Sequence, residues 1–125
     1  MKLLVVDGYN VINKIPYLSK IADQNLQEAR RAITQLANEY KRKDGGISEV
    51  YVVFDGKNQY KNLDLPTPKE HIFSATGEGD RKIIETVKEV SDKGVVIVVS
   101  DDNYVRNNAR AYSASLLHSR ELIKN

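Results

Sequence analysis

The sequence has 125 residues, the size of one compact domain with a buried core. It contains no cysteine, which excludes disulfides, thiolate catalysis and cysteine-bound zinc. The net charge of +2 is too small to indicate nucleic-acid binding by itself. No segment has the length of a membrane span, and the N-terminus lacks the pattern of a secretory signal. We therefore expect a single domain over residues 1–125, located in the cytoplasm and without a membrane partner.

The first half of the chain alternates predicted strands and helices. Residues 2–6 form an apolar run typical of a buried strand, and residues 26–43 repeat apolar side chains at helical spacing. Residues 49–56 are rich in the β-branched and aromatic side chains that favour strands. Residues 57–69 contain two prolines and are predicted to form a loop. A short edge strand is predicted over residues 71–75.

The second half of the chain continues the alternation. Residues 79–94 have the apolar spacing of a helix, and residues 95–100 are apolar on both faces, as in a central strand. Leu116, Leu117 and Ile123 are predicted to be the apolar anchors of a last helix. Strands that alternate with helices predict an α/β fold, here a three-layer sandwich with a mostly parallel central sheet.

Aspartates follow three of the predicted strands. Asp7 ends the first strand, Asp55 ends the second, and residues 100–102, Ser-Asp-Asp, follow the third. Ligands of an open parallel sheet bind beyond the carboxyl ends of its strands, so we expect these side chains at one edge of the sheet. Asp80 begins a helix after the flexible TGEG segment and is expected to lean over the same edge.

Carboxylates gathered in this way predict a metal site. Without a basic partner they repel one another, and a divalent cation relieves that repulsion. Oxygen ligands around an open site suit Mg²⁺ or Mn²⁺, which activate water and stabilise charge on an attacked phosphodiester. Each acid alone also has a local explanation, as a helix cap or a turn former. Capping does not explain acids at the ends of three strands, so the joint pattern predicts metal-dependent phosphoryl transfer or hydrolysis.

Three other phosphate-handling sites fit the residues less well. A receiver domain needs an acidic pair after its first strand, where this chain has Gly8, Tyr9 and Asn10 after a single aspartate. A haloacid-dehalogenase-type phosphatase needs a second aspartate two positions after Asp7, and Tyr9 occupies that place. The TGEGDRK segment lacks the G-x-x-x-x-G-K-S/T pattern of a phosphate-binding P-loop.

Four segments together resemble a known family. These segments are LLVVDGYNVI, VYVVFDG, GEGDRKIIETV and the stretch from VVIVVSDD to SRELI. In this order they are similar to the YacP-like branch of the NYN domain, within the PIN-like nuclease superfamily. The resemblance runs through nearly the whole chain. It implies a compact PIN-like α/β fold and a metal-dependent ribonuclease with an acidic pocket for Mg²⁺ or Mn²⁺.

The resemblance also implies roles for single residues. It implies catalytic and metal-binding roles for three aspartates: Asp7, Asp80 and Asp101. Asn10 and Asp55 match supporting positions of the pocket. Ser100 is a candidate for a hydrogen bond to a phosphate or a ligand carboxylate, or for a cap on the next turn. Asp102 is an additional carboxylate where the branch more often has a non-acidic residue, so its role stays open.

Candidate RNA contacts flank these acids. Tyr9 is a candidate for stacking on unpaired bases. Arg81, Lys82 and Arg106 are candidates for contacts with phosphates, with solvated surface charge as the alternative for each. The EARR and YKRK patches of the predicted 26–43 helix are expected to face solvent.

The leading hypothesis is a metal-dependent endoribonuclease of the NYN type, with RNA as its partner. Two alternatives stay open: a non-catalytic RNA-binding or protein-interaction module with the same fold, and a small-molecule phosphohydrolase. Clustered carboxylates argue against the first alternative, because they repel RNA in the absence of a metal. The sequence does not decide whether the RNA is an mRNA, whether a ribosome takes part, or whether the protein is a homodimer.

Overall fold

The computed structural model describes residues 1–123, apart from the side chain of Asn62. Within these residues the strands are β1 (Lys2–Asp7), β2 (Ile47–Phe54), β3 (His71–Phe73), β4 (Val95–Val99) and β5 (Ser115–Leu117). The helices are α1 (Gly8–Lys14), α2 (Pro16–Gln24), α3 (Leu26–Asp44), α4 (Gln59–Asn62), α5 (Gly79–Val90) and α6 (Asn103–Arg110). A 3₁₀ helix, Ser119–Leu122, follows β5.

The strands form one sheet in the order β3-β2-β1-β4-β5, and every pairing in the described part of the chain is parallel. The predicted α/β fold with a parallel central sheet is therefore confirmed. β1 is the middle strand, and the apolar β4 is interior between β1 and β5. After β1 the chain adds β2 and β3 on one side of the sheet, and it then adds β4 and β5 on the other side of β1. This order creates a topological switch between β1 and β4, where ligands of such sheets bind.

Helices cover both faces of the sheet. On one face, Leu4 and Val6 of β1 share an apolar core with residues of α1, α2 and α3. On the opposite face, α5 and α6 pack against Leu3 and Val5 of the same strand. Because both faces of β1 are covered, its residues 3–6 are all apolar. No helix within residues 1–123 is both long and apolar enough to cross a membrane.

The long predicted helices agree with the structure. α3 begins where the Asn25 side chain accepts a 3.1 Å hydrogen bond from the Glu28 N–H. It ends at Gly45, whose φ of 74° is a left-handed conformation that favours glycine. α5 begins at Gly79 as predicted and ends at Val90, earlier than the predicted helix over residues 79–94.

The predicted last helix is wrong. Leu116 and Leu117 lie in β5, where they pair with Val98 and Val99 of β4. Ile123 follows the 3₁₀ helix and is exposed. A strand of three residues has no periodicity by which it can be distinguished from a helical anchor, so its contact with β4 determines the conformation.

Four α-helices of the described residues are absent from the sequence prediction: α1, α2, α4 and α6. α1 follows Asp7 directly, although the DGYN motif has the composition of a turn. Pro16 occupies the first position of α2, where its missing N–H has no helical partner to lose. α4 is a single short helix inside the predicted loop over residues 57–69.

Candidate functional site

A cavity of about 170 Å³, here called the acidic cavity, lies beyond the carboxyl ends of β1, β2 and β4. Four aspartates contribute to its wall: Asp7, Asp55, Asp80 and Asp102. The remaining lining residues are Tyr9, Asn10, Val53 and Gly79. The cavity lies beside the switch between β1 and β4, at the edge of the sheet where the sequence predicts a site.

Asp7 is the most buried carboxylate of the acidic cavity, with 8 % of its surface exposed. The Ser100 hydroxyl donates a 2.8 Å hydrogen bond to its Oδ2. Burial disfavours the charged form and raises the pKa of Asp7 to about 7, although the hydrogen bond from Ser100 opposes this rise. The negative charges of Asp80, Asp102 and Asp101 raise this pKa further. The protonated form of Asp7 is therefore favoured to a much higher pH than in an exposed aspartate.

A glycine brings Asp80 next to Asp55. Asp80 lies in the first turn of α5, and its pKa is raised by burial, by Asp102 and by Asp55. The Gly77 N–H donates a 2.7 Å hydrogen bond to Asp55 Oδ1. A Cβ atom on Gly79 would lie only 2.9 Å from the Asp55 Cβ, so no larger residue fits there without movement. The glycine-rich TGEG segment thus lets α5 begin against the Asp55 side chain.

The DGYN motif is held by contacts with β2 and with the segment after β4. A Cβ atom on Gly8 would lie 2.6 Å from ring carbons of Phe54 and 2.8 Å from the Val53 carbonyl oxygen. Only glycine allows α1 to begin this close to β2. The Asn10 Oδ1 accepts a 2.9 Å hydrogen bond from the Asp101 N–H. The motif therefore joins the three strand ends that carry the aspartates.

The two aspartates after β4 have different surroundings. Asp101 contacts His118 Nδ1 at 2.9 Å, and it accepts hydrogen bonds from the Ser119 N–H at 3.1 Å and from the Ser119 hydroxyl. Burial acts to raise the pKa of Asp101, but the hydrogen bonds from Ser119 and His118 hold it below its usual range. Asp102 lines the acidic cavity and caps α6 through a 3.0 Å hydrogen bond from the Val105 N–H. Asp102 thus has the place in the cavity wall that the resemblance assigns to Asp101.

Ser100 and Arg106 fix the backbone around the end of β4. Ser100 is fully buried, and its hydroxyl oxygen accepts a 3.1 Å hydrogen bond from the Asp102 N–H while it donates to Asp7. Ser100 therefore contacts both the Asp7 carboxylate and the backbone of the turn after β4. The Arg106 guanidinium donates to the carbonyl oxygens of Ser100 at 2.9 Å and of Leu117 at 3.1 Å. These contacts engage the Arg106 side chain with the backbone, which favours a structural role over a phosphate contact.

Arg81 and Lys82 lie beside the acidic cavity rather than in its wall. They line a neighbouring cavity of about 200 Å³ at the start of α5. Arg81 contacts Glu78 at 3.6 Å, and Lys82 contacts Glu85 at 3.4 Å. Such solvent-exposed pairs are weak, so both cations are able to turn toward a phosphate.

Tyr9 lines the acidic cavity and rests on a buried cation. The Arg30 Nε donates a 2.9 Å hydrogen bond to the Tyr9 hydroxyl, and Tyr9 packs on Phe54 with ring centroids 5.1 Å apart. Arg30 is only 5 % exposed, so the expectation that the EARR patch faces solvent is wrong at this position. Helical spacing gives a signal for its burial, because Arg30 lies on the same side of α3 as Ile33 and Ala37.

The acidic cavity offers the oxygen donors that Mg²⁺ and Mn²⁺ prefer. Within residues 1–123, no three Asp, Glu, His or Cys side chains form a ready-made metal-binding group. Mg²⁺ does not need such a cage, because it keeps several waters and uses one or two carboxylates together with substrate phosphates. A nearby cation would also offset the raised pKa of Asp7. The donor set therefore fits a hydrated divalent cation.

Comparisons with known proteins agree with this architecture. The model of the YacP-like NYN domain family matches residues 4–125. YacP of Bacillus subtilis strain 168 is 30% identical over 129 residues, covering 99% of this chain and 74% of that protein. The crystal structure of a mutant of Rae1 (YacP) from Bacillus subtilis matches with a TM-score of 0.74 and 26% identity, covering 98% of this chain and 72% of that one. The chain therefore belongs to the YacP-like NYN domain family and has its nuclease-like fold.

Proposed function

We propose that this protein is a metal-dependent endoribonuclease that hydrolyses RNA phosphodiester bonds at the acidic cavity. The observation that carries the proposal is the burial of Asp7 in a wall that contains three further aspartates. Carboxylates gathered in this way destabilise the fold when no cation is present, so a purely structural role gives no reason for them. The nuclease-like fold of the family supports the same class of reaction.

Asp7, Asp80 and Asp102 would hold Mg²⁺ or Mn²⁺, one or two of them as direct ligands and the remainder through water bound to the cation. When bound, the cation supplies Lewis-acid activation of water and of the phosphodiester. Ser100 holds the Asp7 carboxylate in one orientation through its 2.8 Å hydrogen bond. Asp55 extends the negative wall from the β2 side, where the Gly77 N–H fixes one of its oxygens.

We further propose that the RNA crosses the acidic cavity between α1 and α5. Tyr9 lines the cavity on the α1 side and offers a ring for an unpaired base. Asn10 beside it carries a neutral amide that can donate to a phosphate oxygen. Arg81 and Lys82 lie on the α5 side, where they offset the repulsion between the aspartates and the RNA backbone.

A circular single-stranded RNA tests this function, because only an endonuclease cuts a molecule without ends. We expect linear product with Mg²⁺ or Mn²⁺, none in EDTA, and cleavage by Asp7→Asn lowered at least about a hundredfold. Asp23→Asn, which changes an exposed aspartate of α2, serves as the matched control purified in the same way.

Each other outcome of this assay contradicts the proposal in a different way. Equal cleavage by wild type and Asp7→Asn would mean that another site, or a contaminant, cuts the RNA. Binding of RNA without cleavage under any metal condition would indicate a binding module. Hydrolysis of p-nitrophenyl phosphate without cleavage of RNA would indicate a small-molecule phosphohydrolase.

A further inference from the structure

A groove with no role in the proposed reaction runs along α3. Two cavities of about 470 and 500 Å³ adjoin at Asn38, between α3 on one side and β2 and the segment that leads from α4 into β3 on the other. We call the two cavities together the α3 groove. Four cations line this α3 groove: Arg31, Lys41, Arg42 and Lys69. None of the residues that line it belongs to the wall of the acidic cavity.

The α3 groove has an excess of positive charge. Two acids accompany the four cations: Glu49 and Glu70. The Asn38 amide donates a 3.0 Å hydrogen bond to Glu70, which occupies that carboxylate. Arg31 contacts Glu28 at 2.7 Å, but both side chains are exposed and such a pair is weak. The groove therefore favours an extended anion.

One end of the α3 groove is walled by two rings, Tyr60 and His71, that are tilted by 50° relative to each other. Tyr60 and His71 are buried there, with ring centroids 5.5 Å apart, and Pro68 lies beside them. Thr34 and Gln35 of α3 add hydrogen-bonding side chains to the same cavity. Unpaired bases are recognised by flat rings together with polar groups at their edges. The volume of about 500 Å³ lies within the range of small-molecule pockets.

The wall also contains a buried acceptor without a partner. The Thr34 hydroxyl donates to the Arg30 carbonyl oxygen at 2.7 Å, so it accepts its 2.7 Å hydrogen bond from His71 Nε2–H. His71 Nδ1 is then an unprotonated acceptor, and it is the one buried side-chain nitrogen or oxygen of the described residues that lacks a partner. Burial lowers the pKa of His71 to about 4, so its ring is neutral at pH 7. An unpaired buried acceptor is unfavourable. The atom has almost no accessible surface, so a nucleobase N–H reaches it only if the His71 side chain moves.

Ring contacts connect the α3 groove to the acidic cavity. Tyr9 of the acidic cavity packs on Phe54 at 5.1 Å, and Phe54 packs on His71 of the groove at 4.9 Å. A single phenylalanine ring thus separates the two walls. Phe54 is fully buried, so an RNA strand that reaches both sites passes over the surface beside these rings.

We propose that the α3 groove binds unpaired nucleotides of the RNA that flank the bond to be cleaved. One base lies against the wall of Tyr60 and His71, and the backbone phosphates lie on Arg31 and Arg42. This inference rests on the proposed function for the identity of its ligand. It adds that the substrate must be single-stranded beyond the cleavage position, because a paired base cannot enter the wall.

The binding test uses a short fluorescein-labelled single-stranded RNA, read by anisotropy in EDTA on an Asp7→Asn background. The groove variant combines Arg31→Gln and Arg42→Gln. Its control combines Lys88→Gln and Lys93→Gln, the same charge change at exposed positions of the opposite layer. We expect about tenfold weaker binding by the groove variant and a salt slope smaller by about 1.4, from two lost phosphate contacts. The control pair is expected to bind as its parent does.

A second pair of variants tests the shape of the α3 groove independently of its charge. Gln35→Trp fills the end of the groove without changing charge, whereas Gln24→Trp adds the same side chain at an exposed position of α2. We expect only Gln35→Trp to weaken RNA binding. Equal RNA binding by Gln35→Trp and Gln24→Trp would contradict the proposal that the α3 groove binds RNA. Equal losses of binding in the arginine pair and the lysine control pair would also contradict it. Thermal melting of each variant verifies that it is folded.

These readouts separate a failure of the groove from a failure of the proposed function. If wild type cleaves no RNA while the groove variant alone loses binding, the nuclease proposal is wrong but RNA binding by the α3 groove is supported. If wild type cleaves RNA and the groove variant binds and cleaves equally well, the groove fails and the nuclease proposal stands.

Discussion

The Asp7→Asn variant is expected to be more stable than wild type, on the order of 3 kcal/mol at about pH 8 without divalent cations. The unfolded chain loses the Asp7 proton near pH 4, whereas the folded protein keeps it until about pH 7. Within this window the folded state binds more protons, so wild-type stability falls as the pH rises. Asparagine keeps an oxygen for the Ser100 hydroxyl and carries no charge to desolvate. The gain should therefore disappear near pH 4.

Urea unfolding at several pH values measures this gain in the free energy of unfolding. The comparison requires that this free energy depends on urea concentration with the same slope in both proteins. His71 also titrates in this range, but it is present in both proteins and its contribution cancels in the difference. Asp23→Asn is the matched control and should change the free energy of unfolding by less than about 0.5 kcal/mol. If Asp7→Asn were less stable than wild type at about pH 8, the charged form of Asp7 would not be destabilised in the folded protein.

The same substitution at the two neighbouring aspartates after β4 is expected to have opposite consequences. Asp102→Ser removes a carboxylate of the acidic cavity but keeps an oxygen that can cap α6, so stability should change by at most about 1 kcal/mol. RNA cleavage should fall roughly a hundredfold to a thousandfold. Asp101→Ser removes the acceptor for Ser119 and His118, which should lower stability by about 2 kcal/mol. Its effect on cleavage should be less than about tenfold.

Cleavage rates at saturating metal, together with urea unfolding of both variants, decide between the two aspartates. The opposite pattern, with cleavage abolished by Asp101→Ser and retained by Asp102→Ser, would restore the ligand set that the family resemblance implies. In that case the contacts of Asp101 with Ser119 and His118 would have to open when the metal binds.

The long strands and helices can be predicted from the sequence because their apolar patterns extend over many residues. The runs that form β1, β2 and β4 and the helical spacing of α3 and α5 each extend over enough residues to define a period. Short elements lack this signal. β5 is a strand because Leu116 and Leu117 pair with β4, and α1 begins directly after Asp7 because Gly8 fits against Phe54.

The candidate site is predictable only as far as the topology determines it. Parallel strands deliver their ends to one edge, which explains why Asp7, Asp55 and Asp102 line one cavity. The choice between Asp101 and Asp102 depends on Ser119, which is distant in sequence, so no local pattern reports it. The α3 groove likewise depends on how the segment before β3 folds over α3.

The most direct test of a cation-dependent acidic cavity is the pKa of Asp7, followed by carbon-13 NMR of its side-chain carboxyl group. Without divalent cations the pKa should lie near 7, and saturating Mg²⁺ should lower it strongly, because the cation favours the charged carboxylate. An Asp7 pKa that is the same with and without Mg²⁺ would contradict the account, since the gathered aspartates would then have no cation to balance them.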